Sequence, residues 1–270
     1  MKLGILAGNR LLPILLAKNI KEKDSSFELV AVCFKGETSK AIVRYVDRVR
    51  WVSPANLGQL RQAICVESLN KWIMAGQVNP LRIFNPKSFD EELSSLVNTI
   101  SDFRPHNIFS EIIRYLERDG VKFLDSTLYM REFLAEGGVL NNAEIDDKIS
   151  KDIDFGASLI SRFVELDVGQ TIVIKEKTAV ALEGLEGTDR TIKRAFKIAG
   201  CGLTVLKFAK HNQDVRFDVP VVGMATLNLL RKIKAKAIVL EKDKVIILQK
   251  DEFLSSARKW GIAVVGRERV

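Results

Sequence analysis

The chain has 270 residues, of which 47% are hydrophobic and 28% charged, and its formal net charge is +8. These proportions exclude a disordered or fibrous chain and leave room for one large or two medium domains. The three cysteines, Cys33, Cys65 and Cys201, are too widely spaced for a Cys-x-x-Cys site, and with only His106 and His211 a histidine-rich zinc site is not expected. The thiols read as reduced packing residues of a reducing cytosol, and any metal should be a hard one held by oxygen. The positive excess favours an anionic partner: nucleic acid, a phosphorylated metabolite or an anionic membrane surface. The densest basic run, Arg231-Lys232-Ile233-Lys234-Ala235-Lys236, lacks aromatic interleaving or a nucleic-acid motif, so a nucleic-acid partner is not expected.

Met1 to Ile5 starts directly in strand-like sequence, and no signal peptide is expected. Leu3–Ala7 reads as a buried parallel strand and Leu11–Ile20 as the helix after it. Leu29–Phe34, Val49–Val52 and Trp72–Met74 repeat the strand signal, with helical segments at Ser39–Val46 and Asn56–Val66 between them. Strands alternating with helices predict βαβ units and a mainly parallel sheet. Asn79-Pro80 and Asn85-Pro86 then break the pattern, Phe89–Ser101 and Ile108–Arg118 look helical, and Val121–Leu124 is a short strand. Glu136–Asn142, rich in turn formers, is the candidate linker.

The second half opens with a helix over Asp147–Glu165, followed by a hairpin of Thr171–Ile174 and Thr178–Leu182. A helix carrying Ile192, Ala195, Phe196 and Ala199 stops at Gly200. Strand Thr204–Ala209, helix Gly223–Lys234, the strand pair Ala237–Leu240 and Val245–Leu248, helix Glu252–Trp260 and strand Ile262–Val265 complete the chain. The longest nearly apolar stretch, Val219–Leu230, is too short to cross a bilayer. The predicted architecture is α/β in two domains meeting across a cleft. Residues 1–136 form a Rossmann-like domain with a mainly parallel sheet, and residues 137–270 an α/β domain with a mixed sheet.

Chemistry concentrates in four places. Gly8, closing the first strand before a helix, leaves backbone N–H groups for an anion, although the single glycine is not a dinucleotide fingerprint. Gly76-Gln77 follows another strand, where ligands of open α/β folds bind. In Glu183-Gly184-Leu185-Glu186-Gly187-Thr188-Asp189 the glycines permit side chains to converge. Thr188 is a helix cap and Asp189 a first-turn acid, while Glu183 and Glu186, if they converge, need a cation such as magnesium. In Asp214–Pro220, a period of two puts Asp214, Arg216 and Asp218 on one strand face, either as a surface salt bridge or with Arg216 on a phosphate and the acids on a metal.

The segments Lys2–Gly8, Leu12-Pro13, Ala75–Val78, Leu166–Gln170, Glu183–Asp189 and Gln213–Pro220 resemble the UDP-2,3-diacylglucosamine pyrophosphatases of the LpxI type, nearly end to end. The resemblance implies a hydrolase of lipid A biosynthesis that splits UDP-2,3-diacylglucosamine into UMP and 2,3-diacylglucosamine 1-phosphate, using Mg2+ or another divalent cation. It implies uridine nucleotide binding in the first domain through Gly8, Asn9, Leu11, Leu12, Gly76 and Gln77. The second domain would hold the acylated sugar phosphate, with Glu186, Gly187, Thr188 and Lys207 at the phosphate and sugar. Asp218 matches the family's catalytic aspartate, with Asp189, Asp214 and Arg216 beside it and Asp218, Asp189 and Glu183 as metal ligands. Metal-activated water would attack one phosphorus directly. A homodimer, and a cytoplasmic enzyme touching the anionic inner-membrane surface transiently, also follow. The alternatives are a nucleotide-sugar binding or sensing module without catalysis and a phosphohydrolase of a soluble nucleotide sugar.

Overall fold

The apolar runs Lys2–Ala7 and Glu28–Phe34, buried on both faces past their first residue, lie inside the first sheet, as a parallel sheet with helices on either side requires. A computed structural model of the protein describes residues 1–78, 88–102, 104–211 and 213–270; the Asn79-Pro80 and Asn85-Pro86 breakers lie outside the described residues. The chain divides into two compact units, Met1–Met130 with Asp214–Asp218, and Arg131–Gln213 with Val219–Val270.

In the first unit the elements run β1 (Lys2–Ala7), α1 (Leu12–Lys23), β2 (Glu28–Phe34), β3 (Arg48–Val52), α2 (Leu57–Val66), β4 (Lys71–Ala75), α3 (Glu91–Asn98), α4 (Pro105–Glu117) and β5 (Lys122–Leu124). The strands pair in the order β3-β2-β1-β4-β5, all parallel. Strand order reverses between β1 and β4, the switch point beyond whose carboxyl ends ligands of open sheets bind. Leu6, Val30, Val32, Trp72 and Phe123 pack with Leu60 and Ile64 of α2 and Ile113 and Leu116 of α4. The helix expected over Ser39–Val46 is a short 3-10 turn, Lys40–Arg44, started by the Ser39 hydroxyl. Asp90 starts α3 by accepting from Leu93 N–H and holds α2 by accepting from Gly58 N–H.

The second unit contains β6 (Gly138–Val139), α5 (Asp147–Phe163), β7 (Thr171–Lys175), β8 (Thr178–Leu182), α6 (Thr188–Ala199), β9 (Thr204–Lys207), β10 (Val221–Val222), α7 (Met224–Lys232), β11 (Ala237–Glu241), β12 (Ile246–Ile247), α8 (Lys250–Lys259) and β13 (Ala263–Arg267). Its sheet has the order β6-β13-β11-β9-β7-β8, parallel in the centre and antiparallel at both ends, hence mixed. The hairpin turns at Glu176 and Lys177, both in the left-handed region at φ 50° and 56°. Neither is a glycine, and the buried Asp152 of α5 offsets that strain by accepting from both backbone N–H groups.

Three expectations are corrected. The Glu136–Asn142 stretch is no free linker, because β6 pairs with β13 inside it. Val245–Leu248 does not pair with β11; its β12 joins β10 in a separate two-stranded parallel sheet. The thiols are not all packing residues, since only Cys33 is buried, which pushes its pKa up to about 12, whereas Cys65 and Cys201 are exposed.

Candidate functional site

At the switch point of the first unit the loop after β1 locks into the loop after β4. Gly8 N–H donates to Ala75 O at 2.8 Å and Asn9 N–H to Gln77 O at 2.7 Å. The backbones touch: a Cβ on Gly8 would meet Gln77 O at 2.5 Å, and one on Gly76, at φ +80°, would meet Asn9 O at 2.4 Å. These glycines are therefore required by close approach. The same bonds correct one expectation, since the Gly8 and Asn9 N–H groups serve the chain and are not left for an anion. What the crevice offers instead is side chains. Asn9 donates through Nδ2 to Glu37 at 3.2 Å, while its Oδ1 is buried with no partner among the described residues. Gln77 is exposed, and Leu12 is buried at the start of α1 with Leu11 preceding it.

In the second unit the Glu183–Asp189 loop leads from β8 into α6, and Gly187, at φ 84°, is the residue that precedes the helix. Thr188 is consequently the first helical residue and not the cap expected of it, and no side chain caps α6. Its hydroxyl turns to other work. Lys207 Nζ, on a residue 3% exposed at the end of β9, donates to Thr188 Oγ1 at 2.7 Å. Thr188 Oγ1 donates to Glu183 Oε1 at 3.2 Å and lies 3.1 Å from Thr171 Oγ1. A hydroxyl has one proton to give, so Thr171 must be the donor in that last contact. A buried ammonium and a buried carboxylate are thus joined through one threonine, and Thr171, which reads in the sequence as an ordinary strand residue, completes the chain.

Glu183 Oε2 is buried with no partner among the described residues. Glu186 is not converging with it: Glu186 accepts from Gly184 N–H at 2.8 Å, from Thr191 Oγ1 at 3.2 Å and from Arg194 at 2.6 Å, stitching its own loop. Burial pushes its carboxyl up, but the Arg194 and backbone hydrogen bonds outweigh that and hold the pKa below the ordinary value. Asp189 Oδ1 accepts from Thr226 Oγ1 of α7 at 2.9 Å. The orphaned Glu183 oxygen fits one carboxylate ligand of an oxygen-seeking ion. No group of three or more His, Cys, Asp or Glu that could hold a metal ion gathers among the described residues.

Asp214–Asp218 groups with the first unit, and it is a turn where a strand was expected. Asp214 Oδ1 accepts from Arg216 N–H at 3.0 Å, and Asp214 O accepts from the N–H groups of Phe217 and Asp218. Such local bonds compete with a sheet ladder. Ser126 N–H donates to Val215 O, its hydroxyl lies 2.6 Å from Arg216 O, and the Phe217 ring sits 5.3 Å from that of His106 and 6.0 Å from that of Phe109. Arg216 binds Asp214 through Nε and Nη2 and Glu117 through Nη1, so its guanidinium is held by two carboxylates. Burial raises the Asp214 carboxyl, yet the Arg216 hydrogen bonds prevail and its pKa is lowered; the Asp214 hydrogen bond raises that of Arg216. Glu117 is a partner that sequence reading missed, being an unremarked acid near the end of α4. Asp218 differs from its neighbour: its carboxylate has no hydrogen-bond or ion-pair partner among the described residues. Glu183, Glu186, Thr188, Asp189 and Lys207 therefore lie in the second unit, and Asp214, Arg216 and Asp218 in the first.

The fold defines a two-unit α/β protein whose first unit is Rossmann-like. Residues 2–133 match the LpxI N-terminal domain and residues 136–265 the LpxI C-terminal domain. The chain belongs to the LpxI family. It is 24% identical over 275 aligned positions to the UDP-2,3-diacylglucosamine pyrophosphatase LpxI of Caulobacter vibrioides (strain ATCC 19089 / CIP 103742 / CB 15), covering 98% of this chain and 97% of that one. Among solved structures, the E. coli heptosyltransferase WaaC with ADP is 12% identical, with 98% of this chain and 86% of that one covered and a TM-score of 0.20. The same enzyme with ADP-2-deoxy-2-fluoro heptose is 11% identical, with coverage of 99% and 93% and a TM-score of 0.21. Likeness of that degree carries no argument. Among the described residues, no helix is long and apolar enough to cross a membrane.

Proposed function

We propose that this chain hydrolyses the diphosphate bond of UDP-2,3-diacylglucosamine, releasing UMP and 2,3-diacylglucosamine 1-phosphate in lipid A biosynthesis. The end-to-end match to a relative of that name supports the substrate. The observation that carries the chemistry is the buried Lys207 ammonium on Thr188 in the first turn of α6, a helix whose N-terminus no side chain caps. A fixed cation beside an uncapped helix start is suited to a phosphate, whose charge both features favour.

In this reading Lys207, Thr188 and the Gly187 backbone meet the phosphate. Glu183 and Thr171 hold Thr188 and so fix the ammonium, and Glu186 sets the shape of the loop. Asp218, an acid without a partner among the described residues, takes a proton from the attacking water, with Asp214, Arg216 and Glu117 fixing the turn that carries it. In-line attack on phosphorus needs positioning and charge neutralisation more than covalent chemistry. When bound, a divalent cation would supply further neutralisation of the diphosphate oxygens and lower the pKa of a water, with the orphaned Glu183 oxygen as a carboxylate ligand. The nucleotide is held in the first unit by Gly8, Asn9, Leu11, Leu12, Gly76 and Gln77, where the unpartnered Asn9 Oδ1 and the exposed Gln77 amide supply the polar contacts.

The acyl chains of the substrate bring the enzyme transiently to the anionic surface of the inner membrane from the cytoplasmic side, as a homodimer. The deciding experiment is release of UMP from UDP-2,3-diacylglucosamine, with and without chelator. UMP release abolished by chelator and restored by magnesium is expected; substrate binding without UMP release would leave only a binding module.

A further inference from the structure

A second basic feature lies at the opposite edge of the second unit's sheet. The segments leading into its three parallel strands meet there: Gly202 before β9, Lys234 and Lys236 before β11, and Trp260 and Gly261 before β13, with Arg231 from the last turn of α7. They line an open hollow of about 410 Å³ with no acidic residue in its lining among the described residues. Lys207 stands at the other end of β9, roughly 16 Å from Gly202 at the rise of an extended chain. The hollow is therefore separate from the Lys207 site.

Its cations have no ion-pair partner among the described residues. Arg231, Lys234 and Lys236 are exposed, as are the adjacent Lys232, Arg258 and Lys259. None of these six side chains has an ion-pair or hydrogen-bond partner among the described residues. Other cations of the unit are paired, Lys242 with Glu268, Lys250 with Glu136, Arg267 with Asp154 and Arg269 with Glu241, so those donors are engaged while the ones around the hollow are available to a ligand. The Arg231 guanidinium lies over the Trp260 ring, 4.6 Å from its centroid, which fixes the plane of its N–H donors without using them.

Backbone geometry adds a second, independent observation. Helices α7 and α8 end in the same motif: Ala235 N–H returns to Leu230 O and Lys234 N–H to Arg231 O, as Ile262 N–H returns to Ala257 O and Gly261 N–H to Arg258 O. The motif needs a left-handed residue, for which glycine is the relaxed choice. In α8 that residue is Gly261 at φ 65°; in α7 it is Lys234 at φ 50°. Of these two matching motifs, the one whose left-handed residue is not glycine is the one that places a cation of the hollow there.

We propose that this hollow binds phosphate-bearing anions, as a ligand site distinct from the one that carries the proposed hydrolysis. The test uses the full chain with two probes, inorganic pyrophosphate followed by Trp260 fluorescence and phosphatidylglycerol vesicles followed by co-sedimentation. Trp260→Phe assigns the fluorescence signal. Lys234→Gly and Lys236→Gln should each weaken binding about fivefold to tenfold, the effect of losing one charge-assisted contact. Lys234→Gly should at the same time unfold at the same or a higher temperature, since glycine relieves the strained position. Loss of binding with gain of stability cannot come from a damaged fold, and Lys236→Gln gives the same reading without touching the backbone. Weakened pyrophosphate binding identifies a soluble phosphate compound, and weakened vesicle binding without a pyrophosphate response identifies a lipid headgroup. If neither probe binds, or both bind the two variants as tightly as the parent, the proposal is overturned.

Discussion

Replacing Thr188 with valine removes one hydroxyl and keeps the side-chain shape, so it isolates the bridge between Lys207 and Glu183. Thr188 Oγ1 is the sole hydrogen-bond partner of the Glu183 carboxylate among the described residues, and Glu183 is 6% exposed. Lys207 loses an acceptor at 2.7 Å but keeps a further partner. A hydrogen bond to a charged group contributes about 1.5–3 kcal/mol, and the group left buried and unpaired also costs its desolvation. Allowing for the contact Lys207 retains, Thr188→Val should destabilise the protein by about 3 kcal/mol. Urea unfolding followed by far-ultraviolet circular dichroism measures this. Thr188→Ser, which keeps the hydroxyl, should cost less than about 1 kcal/mol. In Glu183→Gln the penalty for adding Thr188→Val should shrink by about half, because no buried charge is then stranded. A Thr188→Val protein within about 0.5 kcal/mol of the parent would show that the threonine bridges nothing of consequence and would remove the fixed cation on which the phosphate reading depends.

Asp218→Ala should lower UMP release at least about a hundredfold while leaving the circular dichroism spectrum unchanged, because its carboxylate holds no other group among the described residues; a parent-like rate assigns the base elsewhere. Asp214 contributes stability fully above its ordinary pKa of 3.8 and loses it as pH falls through the lower folded value. Arg216→Met should thus be less stable than the parent at neutral pH, with the gap closing below pH 3.8, as measured by urea midpoints across that range. Gly76→Ala forces a Cβ to 2.4 Å from Asn9 O and should cost about 2–4 kcal/mol, whereas Gly36→Ala, at a similar φ in open space, should cost about 1 kcal/mol. Equal costs would mean that the two loops do not interlock.

The alternation of apolar runs with helical stretches carried most of the architecture, because burial on both faces leaves a strand few polar residues and a crossover needs a helix. That logic is local, and it fails where pairing is decided at a distance. Val245–Leu248 has the composition of a strand, but composition does not say which neighbour it joins, and the partner is Val221-Val222, not the adjacent β11. The β7–β8 hairpin is legible from its two β-rich runs, although its Glu176-Lys177 turn contains no glycine or asparagine. What makes it possible is Asp152, a carboxylate on another element that supplies both missing acceptors.

The two acidic motifs show why a site is harder to read than a fold. Thr188 stands before a helix, where threonine usually caps, and no residue near it in sequence shows that Gly187 takes the preceding position and frees the hydroxyl for Lys207. In Asp214-Val215-Arg216-Phe217-Asp218 alternating charge is compatible with a strand face and equally with a turn. The choice falls to the turn because Asp214 can satisfy the Arg216 backbone and guanidinium together, while Phe217 finds His106 and Phe109 in the first unit. Each of these anchors lies about a hundred residues earlier in the chain. A short segment in the second half of the sequence therefore packs with the first unit, and the residue it leaves without a partner among the described residues, Asp218, is the one the proposed chemistry uses.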